Sequence, residues 1–285
     1  MTYKKNQNRN QYGKQHSDKH EVKKMNKFWK SRQFIISVIA VVIIVFIVII
    51  AVTNPFFAAP TSISPDKYYK ISDHDLLSNG STGIYFISWL GCPIGATDSW
   101  ALYYAMNSTT DIYSHVEYHE AYNQDIYANA AATAGQPGLL FKGTFSFQFN
   151  GKKVTFYPLY MYNQTMKGTV NNVSLSPSDL ASYGLSLINS TLPSGVAKMF
   201  NKYASDITYD HHLETTFIIT GPHGAYILNS FMYNPAILGT GTWTNNSSTN
   251  TYSPYPPESV MPGLNSDSTI VSAAHSFEKN LTAVQ

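Results

Sequence analysis

Residues 83–106 read GIYFISWLGCPIGATDSWALYYAM, and the change of pattern inside this stretch decides the fold. Positions 83–90 are almost unbroken apolar and aromatic residues over a strand's length, which suits a central strand covered on both faces. Gly91, Cys92, Pro93, Ile94 and Gly95 then interrupt the run. From 96 to 106 the period becomes helical, with Ala96, Trp100 and Tyr103 on one stripe and Leu102 and Met106 beside it. A strand that feeds a Cys-Pro turn and then a helix puts the thiol where free N–H groups and partial positive charge favour a thiolate. Pro93 fits the first helical position, where its missing N–H costs nothing. The same pattern also suits a small, buried and inert thiol, so the residues alone leave both readings open.

Further along, two aromatic-rich alternating runs flank Asn150-Gly151, the favoured pair for a type I′ turn, and predict a hairpin over 145–162. Helical signals follow at 176–187, started by Ser176-Pro177, and at 194–204. A second hairpin is expected from 215–220 and 225–231 around Gly221-Pro222-His223-Gly224. Residues 233–267 are rich in Asn, Ser, Thr, Pro and Gly and read mostly as loop. The chain ends on an amphipathic helix over 269–283 that buries Ile270, Ala273, Ala274, Phe277 and Leu281. The fold class is α/β.

Before this domain lies a different kind of sequence. Positions 34–52 hold sixteen Ile, Val or Phe residues, the others being Ser37, Ala40 and Ala51. As a helix this stretch is about 28 Å long, close to the hydrocarbon thickness of a bilayer. At roughly −0.3 to −0.6 kcal/mol per large apolar residue, insertion is favourable by about 5 to 10 kcal/mol. Residues 1–33 carry ten Lys or Arg against Asp18 and Glu21, whereas nine basic and fifteen acidic residues follow the apolar segment. The positive-inside rule therefore predicts a cytoplasmic N-terminus and an extracellular C-terminal domain. A cleaved signal peptide is the main rival, but the apolar run is too long and Phe56 and Phe57 stand where a cleavage site wants small residues. The basic tail reads as a disordered flank attracted to anionic lipid rather than as a nucleic-acid arm. Its domains are thus a tail over 1–33, a membrane helix over 34–52, a stalk over 53–82 opening with Asn54-Pro55, and an extracytoplasmic domain over 83–285.

Eight N-x-[ST] triplets begin at Asn79, Asn107, Asn163, Asn172, Asn189, Asn245, Asn246 and Asn280, all after the apolar segment. They permit glycosylation in an extracytoplasmic domain. One cysteine allows no internal disulfide, so stability must come from a packed core. Low charge with twenty-one Tyr suits an acidic exterior or simple compositional bias. His115, Glu117, His119 and Glu120 are dense, and His211, His212 and His223 add further ligand types. Val116 and Tyr118 alternate with them, however, and strand spacing sets positions four apart about 13 Å away, too far to share an ion. No metal or cofactor is expected. A phosphate loop, a paired-carboxylate signature and a Ser-His-Asp motif are all missing from the sequence.

Together these residues resemble an archaeal family of membrane-anchored, thioredoxin-like proteins known only as a domain of unknown function. The likeness runs from Gly83 to the C-terminus. The family's strand into Cys-Pro-x-Cys and its Arg-Trp-Ala-Leu helix match Cys92, Pro93 and Trp100-Ala101-Leu102. Its Thr-Phe-Ser-Phe strand looks like 144–147 and its Pro-Phe-Ile strand like Thr216-Phe217-Ile218. The resemblance implies a thioredoxin-like outer domain with an inserted hairpin and helices, and a site lined by Cys92, Pro93, Gly95, Trp100 and Thr216. Three departures stand out: Gly95 replaces the second cysteine, Thr216 the proline, and Ser99 the arginine. The second thiol of such a site resolves the mixed disulfide formed by the first, which glycine cannot do. A non-proline cis bond costs about 3 kcal/mol, so the bond before Thr216 should be trans. The expected function is a binding or envelope-quality-control module that has lost dithiol redox activity, with a peptide or envelope protein as partner. Two alternatives remain: a monothiol oxidoreductase using Cys92, and a cell-surface structural or glycan-interacting protein.

Overall fold

The computed structural model describes residues 32–53, 57–107, 112–119, 138–234, 245–246, 251–252 and 260–285. It divides into two units, residues 1–58 and 59–285. Residues 1–31 of the basic tail, most of the 233–267 loop and Glu120 lie outside the described residues.

In the first unit, α1 (Arg32–Thr53) is 22 residues long, and the large apolar side chains at 35–45 are exposed. Its side chains are described only over 34–45. Within the described residues no helix is long and apolar enough to cross a membrane.

The second unit is built on a six-stranded mixed sheet. Its strands are β1 (Lys67–Ser72), β2 (Thr82–Ser88), β5 (Phe145–Phe149), β6 (Lys152–Tyr160), β9 (Thr216–Gly221) and β10 (Gly224–Asn229), in the order β1-β10-β9-β2-β6-β5. Only the β2–β6 pairing is parallel, with Ile84 opposite Phe156 and Ile87 opposite Leu159. The other neighbours are antiparallel. Since β2 is central and both its faces are covered, all seven of its residues are buried, as its unbroken apolar run requires. The Asn150-Gly151 hairpin forms as expected, with positive φ at both turn residues. The second hairpin turns more tightly than its sequence suggested, since Gly221 and Gly224 pair and leave only Pro222-His223 in the loop.

Helices α2 (Pro93–Asn107) and α6 (Ser268–Val284) lie on one face of the sheet. There Trp100, Met106, Phe277 and Leu281 pack against Ile84, Phe86, Phe156 and Phe217. The opposite face carries α3 (Leu180–Thr191), α4 (Ser194–Lys202) and the short α5 (Ala204–Ile207). Leu180, Ile188, Val196 and Phe200 meet Tyr85, Ile87, Ile218 and Ile227 on that side. A small ribbon, β7 (Thr208–Tyr209) with β8 (His212–Leu213), leads back into β9. At the start of α6, Asp267 accepts the N–H groups of Thr269 and Ile270 at 2.9 and 3.1 Å, a cap worth about 1 kcal/mol. The buried residues of α6 are those its period predicted, with Val284 added.

Two boundaries differ from the sequence reading. The 53–82 stretch is not all stalk: Lys67–Ser72 forms edge strand β1, paired from Lys67–Asn229 to Ser72–Ala225. Asn54-Pro55 suggested a linker, and β1 carries Lys67 and Lys70. Lysines on an edge strand deter pairing with a further chain without interrupting the ladder. The 176–187 helix is likewise displaced: Pro177–Asp179 forms a 3₁₀ turn and α3 runs on to Thr191. The last described part of the 233–267 loop is a 3₁₀ helix, Met261–Ser266.

Candidate functional site

Cys92 closes the turn between β2 and α2. Its carbonyl accepts the N–H of Ala96 at 2.9 Å, and its Sγ accepts the N–H of Gly95 at 3.5 Å. Cys92 is thus the residue that caps α2, with sulfur in the place of the usual serine or aspartate oxygen. Pro93 is the first helical residue, so the helix begins three positions earlier than its apolar stripe indicated.

This thiol is closed off from solvent, being only 2% exposed. Two hydroxyls extend from it into the interior: Sγ lies 2.9 Å from Thr215 Oγ1, which lies 2.8 Å from Ser88 Oγ. Helix start and hydroxyls both favour a thiolate, yet burial outweighs them and pushes the Cys92 thiol up to about 11. The physical reason is the scale of the effects. A helix terminus contributes about 0.3–1 kcal/mol, whereas burying a charge without a cation costs several. No cation is among the groups acting on this sulfur.

Gly95 shows why there is no second sulfur. A Cβ at this position would sit 2.4 Å from Ser88 Oγ and 3.3 Å from the Phe86 ring. The hydroxyl of Ser88 fills the space a second cysteine would enter. Ser99 has a comparable explanation. It is fully buried, donates to the Ala96 carbonyl at 2.6 Å and accepts the Leu139 N–H at 2.8 Å. Leu139 belongs to a two-stranded ribbon, β3 (Val116–His119) with β4 (Gly138–Phe141), which roofs α2. An arginine has no room beneath it. The ribbon approaches so closely that a Cβ on Gly138 would meet Ala96 Cα at 2.4 Å.

The residues named from sequence therefore divide. Cys92, Pro93 and Gly95 are together, but all three are buried. Trp100 is a fully buried core residue on the sheet-facing side of α2 and does not line an opening. Thr216 pairs with Ile87 and directs its hydroxyl to the Glu214 carbonyl and Asn229 Oδ1, both at 3.3 Å. The residue beside the thiol is its neighbour Thr215, one position from the sequence expectation. No described peptide bond is cis, so Thr216 follows a trans bond as expected. The strand reading of the histidine-rich segment holds for Val116–His119, and the described residues contain no group of three potential metal ligands.

One polar group was missed. Asp98 is fully buried in α2; its Oδ1 accepts the Met232 N–H at 2.8 Å, while Oδ2 and the nearby Tyr68 hydroxyl have no hydrogen-bond partner among the described residues. Burial raises the Asp98 carboxyl well above the usual range, and its Met232 hydrogen bond offsets this only in part. Tyr233, whose own hydroxyl donates to the Thr97 carbonyl at 2.6 Å, covers the same side of the helix. The signal was present, since Asp98 interrupts an otherwise apolar and small-residue helix. The Met232–Tyr233 segment that covers that side is distant in sequence.

These features define a mixed α/β domain with a buried, helix-capping thiol at its central strand-to-helix junction. The chain belongs to the family described as a domain of unknown function, DUF929, whose model matches residues 67–283. No curated protein and no solved structure matches it.

Proposed function

We propose that this chain is a membrane-anchored, extracytoplasmic domain of thioredoxin type that works by binding rather than by thiol-disulfide chemistry. The observation that carries the loss of redox chemistry is the pairing of Gly95 with Ser88, which puts a hydroxyl where a resolving thiol would stand. A buried Cys92 with a raised pKa points the same way, since the thiolate is the attacking species. The thioredoxin-type assignment draws on the strand order β10-β9-β2-β6. Its first two strands in the chain are parallel, its last two antiparallel, and the helix after the first shares a face with the C-terminal helix. The anchor reading draws on the nineteen-residue apolar run at 34–52 and on the basic stretch before it. The domain is read as lying outside the cell, with a peptide or envelope protein as the partner.

The test is a comparison of the full chain with its Cys92→Ser variant in intact membranes. Both are expected to yield the same cross-linked partners and no Cys92-dependent mixed disulfides on non-reducing gels. Mixed disulfides that vanish in the variant would overturn the binding reading in favour of a monothiol enzyme.

A further inference from the structure

We infer that Asn79 is the preferred glycan acceptor among the described sequons of this chain, an inference that rests on the outer domain lying outside the cell. The chemistry needs an exposed carboxamide whose Nδ2 is free and whose own sequon hydroxyl is engaged with it. Asn79, Gly80 and Ser81 are all exposed. The Ser81 hydroxyl donates to Asn79 Oδ1 at 2.6 Å, and the Ser81 backbone N–H donates to the same oxygen at 2.9 Å. Two donors hold Oδ1, and Nδ2 has no partner among the described residues. The loop is held in this state by Asp75, whose carboxylate accepts the N–H groups of Leu77, Asn79 and Gly80 at 2.8, 3.1 and 2.8 Å. The glycine between Asn79 and Ser81 has φ of +73° and no atom near its Cα on the side a Cβ would take, so the triplet stands clear of the fold.

The other sequons described in full, at Asn163, Asn172, Asn189 and Asn280, lack this combination. At Asn163 the Thr165 hydroxyl is stretched to 3.5 Å, and Nδ2 is donated to Asn172 Oδ1 at 3.0 Å. Asn280 donates Nδ2 to the Ser276 carbonyl at 2.8 Å within α6. Asn189 lies inside α3, its Oδ1 accepting from Asn201 at 2.6 Å rather than from its own sequon hydroxyl. Asn172 accepts from Asn163 in the same way.

The reaction takes a glycan from a lipid-phosphate-linked donor through a membrane transferase. The N–C bond forms between Nδ2 and the anomeric carbon, the bond from that carbon to the phosphate oxygen breaks, the lipid phosphate leaves, and the Nδ2 proton passes to a base of the transferase. The experiment expresses the full chain in cells with an extracytoplasmic transferase of this kind and maps glycopeptides by mass spectrometry. Glycan is expected at Asn79, retained in Ser81→Thr and lost in Ser81→Ala, a surface change that leaves the fold intact by circular dichroism. Glycan only at other sequons overturns the inference while sparing the outside placement. A chain with no glycan at any sequon, and with its outer domain protected from added protease in intact cells, overturns both.

Discussion

If Ser88 occupies the place of a second thiol, then adding a single methyl group at Gly95 tests it. At an unobstructed helical site, Gly→Ala gains about 1 kcal/mol because it reduces the freedom of the unfolded chain and improves helix propensity. Here the new Cβ would lie 2.4 Å from Ser88 Oγ and 3.3 Å from Phe86 Cζ, with Ser88 Cβ at an ordinary 3.4 Å. Overpacking of this kind costs about 1–3 kcal/mol. In a Ser88→Ala background the 2.4 Å contact is gone and only Phe86 must shift by a few tenths of an ångström. Gly95→Ala should then return to neutral or favourable. The two substitutions are therefore coupled by about 2–4 kcal/mol, well above the few tenths that independent sites show. Thermal unfolding of the full chain in mild detergent, followed by tryptophan fluorescence, resolves this, since each kcal/mol moves Tm by roughly 2–4 °C in a domain of this size. Equal Tm shifts for Gly95→Ala in the wild-type and Ser88→Ala backgrounds would refute the argument, and with it the explanation for the missing cysteine.

Cys92 alkylation at pH 7.5 should be at least about 100-fold slower in the folded chain than in urea. A thiol near 11 rather than 9.0 has that much less thiolate, and burial slows access further; equal rates would place the sulfur at the surface. The same shift has a stability consequence. The folded value is raised, so stability is intact below pH 9 and falls as pH rises through about 11, by about 3 kcal/mol relative to Cys92→Ala; parallel pH–stability curves for the two would contradict this. Asp98 also has a raised folded value, so wild type should lose stability against Asp98→Asn as pH rises above 3.8, with the gap closing on acidification. Denaturation of both proteins from pH 3.5 to 7 measures it, and a gap that widens in acid would mean that the carboxylate is the stabilised form. Thr215→Val removes the hydroxyl joining Cys92 to Ser88; a loss of about 1–3 kcal/mol and a further rise in the Cys92 pKa are expected, both readable by denaturation and alkylation.

Asp98 shows one limit of reading this chain in one dimension. Helical periodicity put Trp100 on one stripe with Ala96 and Tyr103, but it does not say which neighbour that stripe meets. Nor does it register that β3 and β4 come back over α2, which buries nearly all of its residues. The thiol site was similarly legible in part. Local pattern revealed the strand, the turn and the helix start, because those depend on neighbours in sequence. Whether the thiol is reactive depended on its burial, which only the assembled fold imposes and which outweighs the hydroxyls of Thr215, more than a hundred residues away, and Ser88.

The central strand, the two hairpins, the closing helix and the apolar segment were determined by the sequence alone, since each follows from a repeating burial requirement or a turn's backbone conformation. Edge strand β1 was decided only in three dimensions, because its alternation is weak and its partner β10 lies about 150 residues further on. Tertiary structure also decided the state of the cysteine. A helix start would activate an exposed thiol, but in this fold the desolvation imposed by distant segments exceeds that local field.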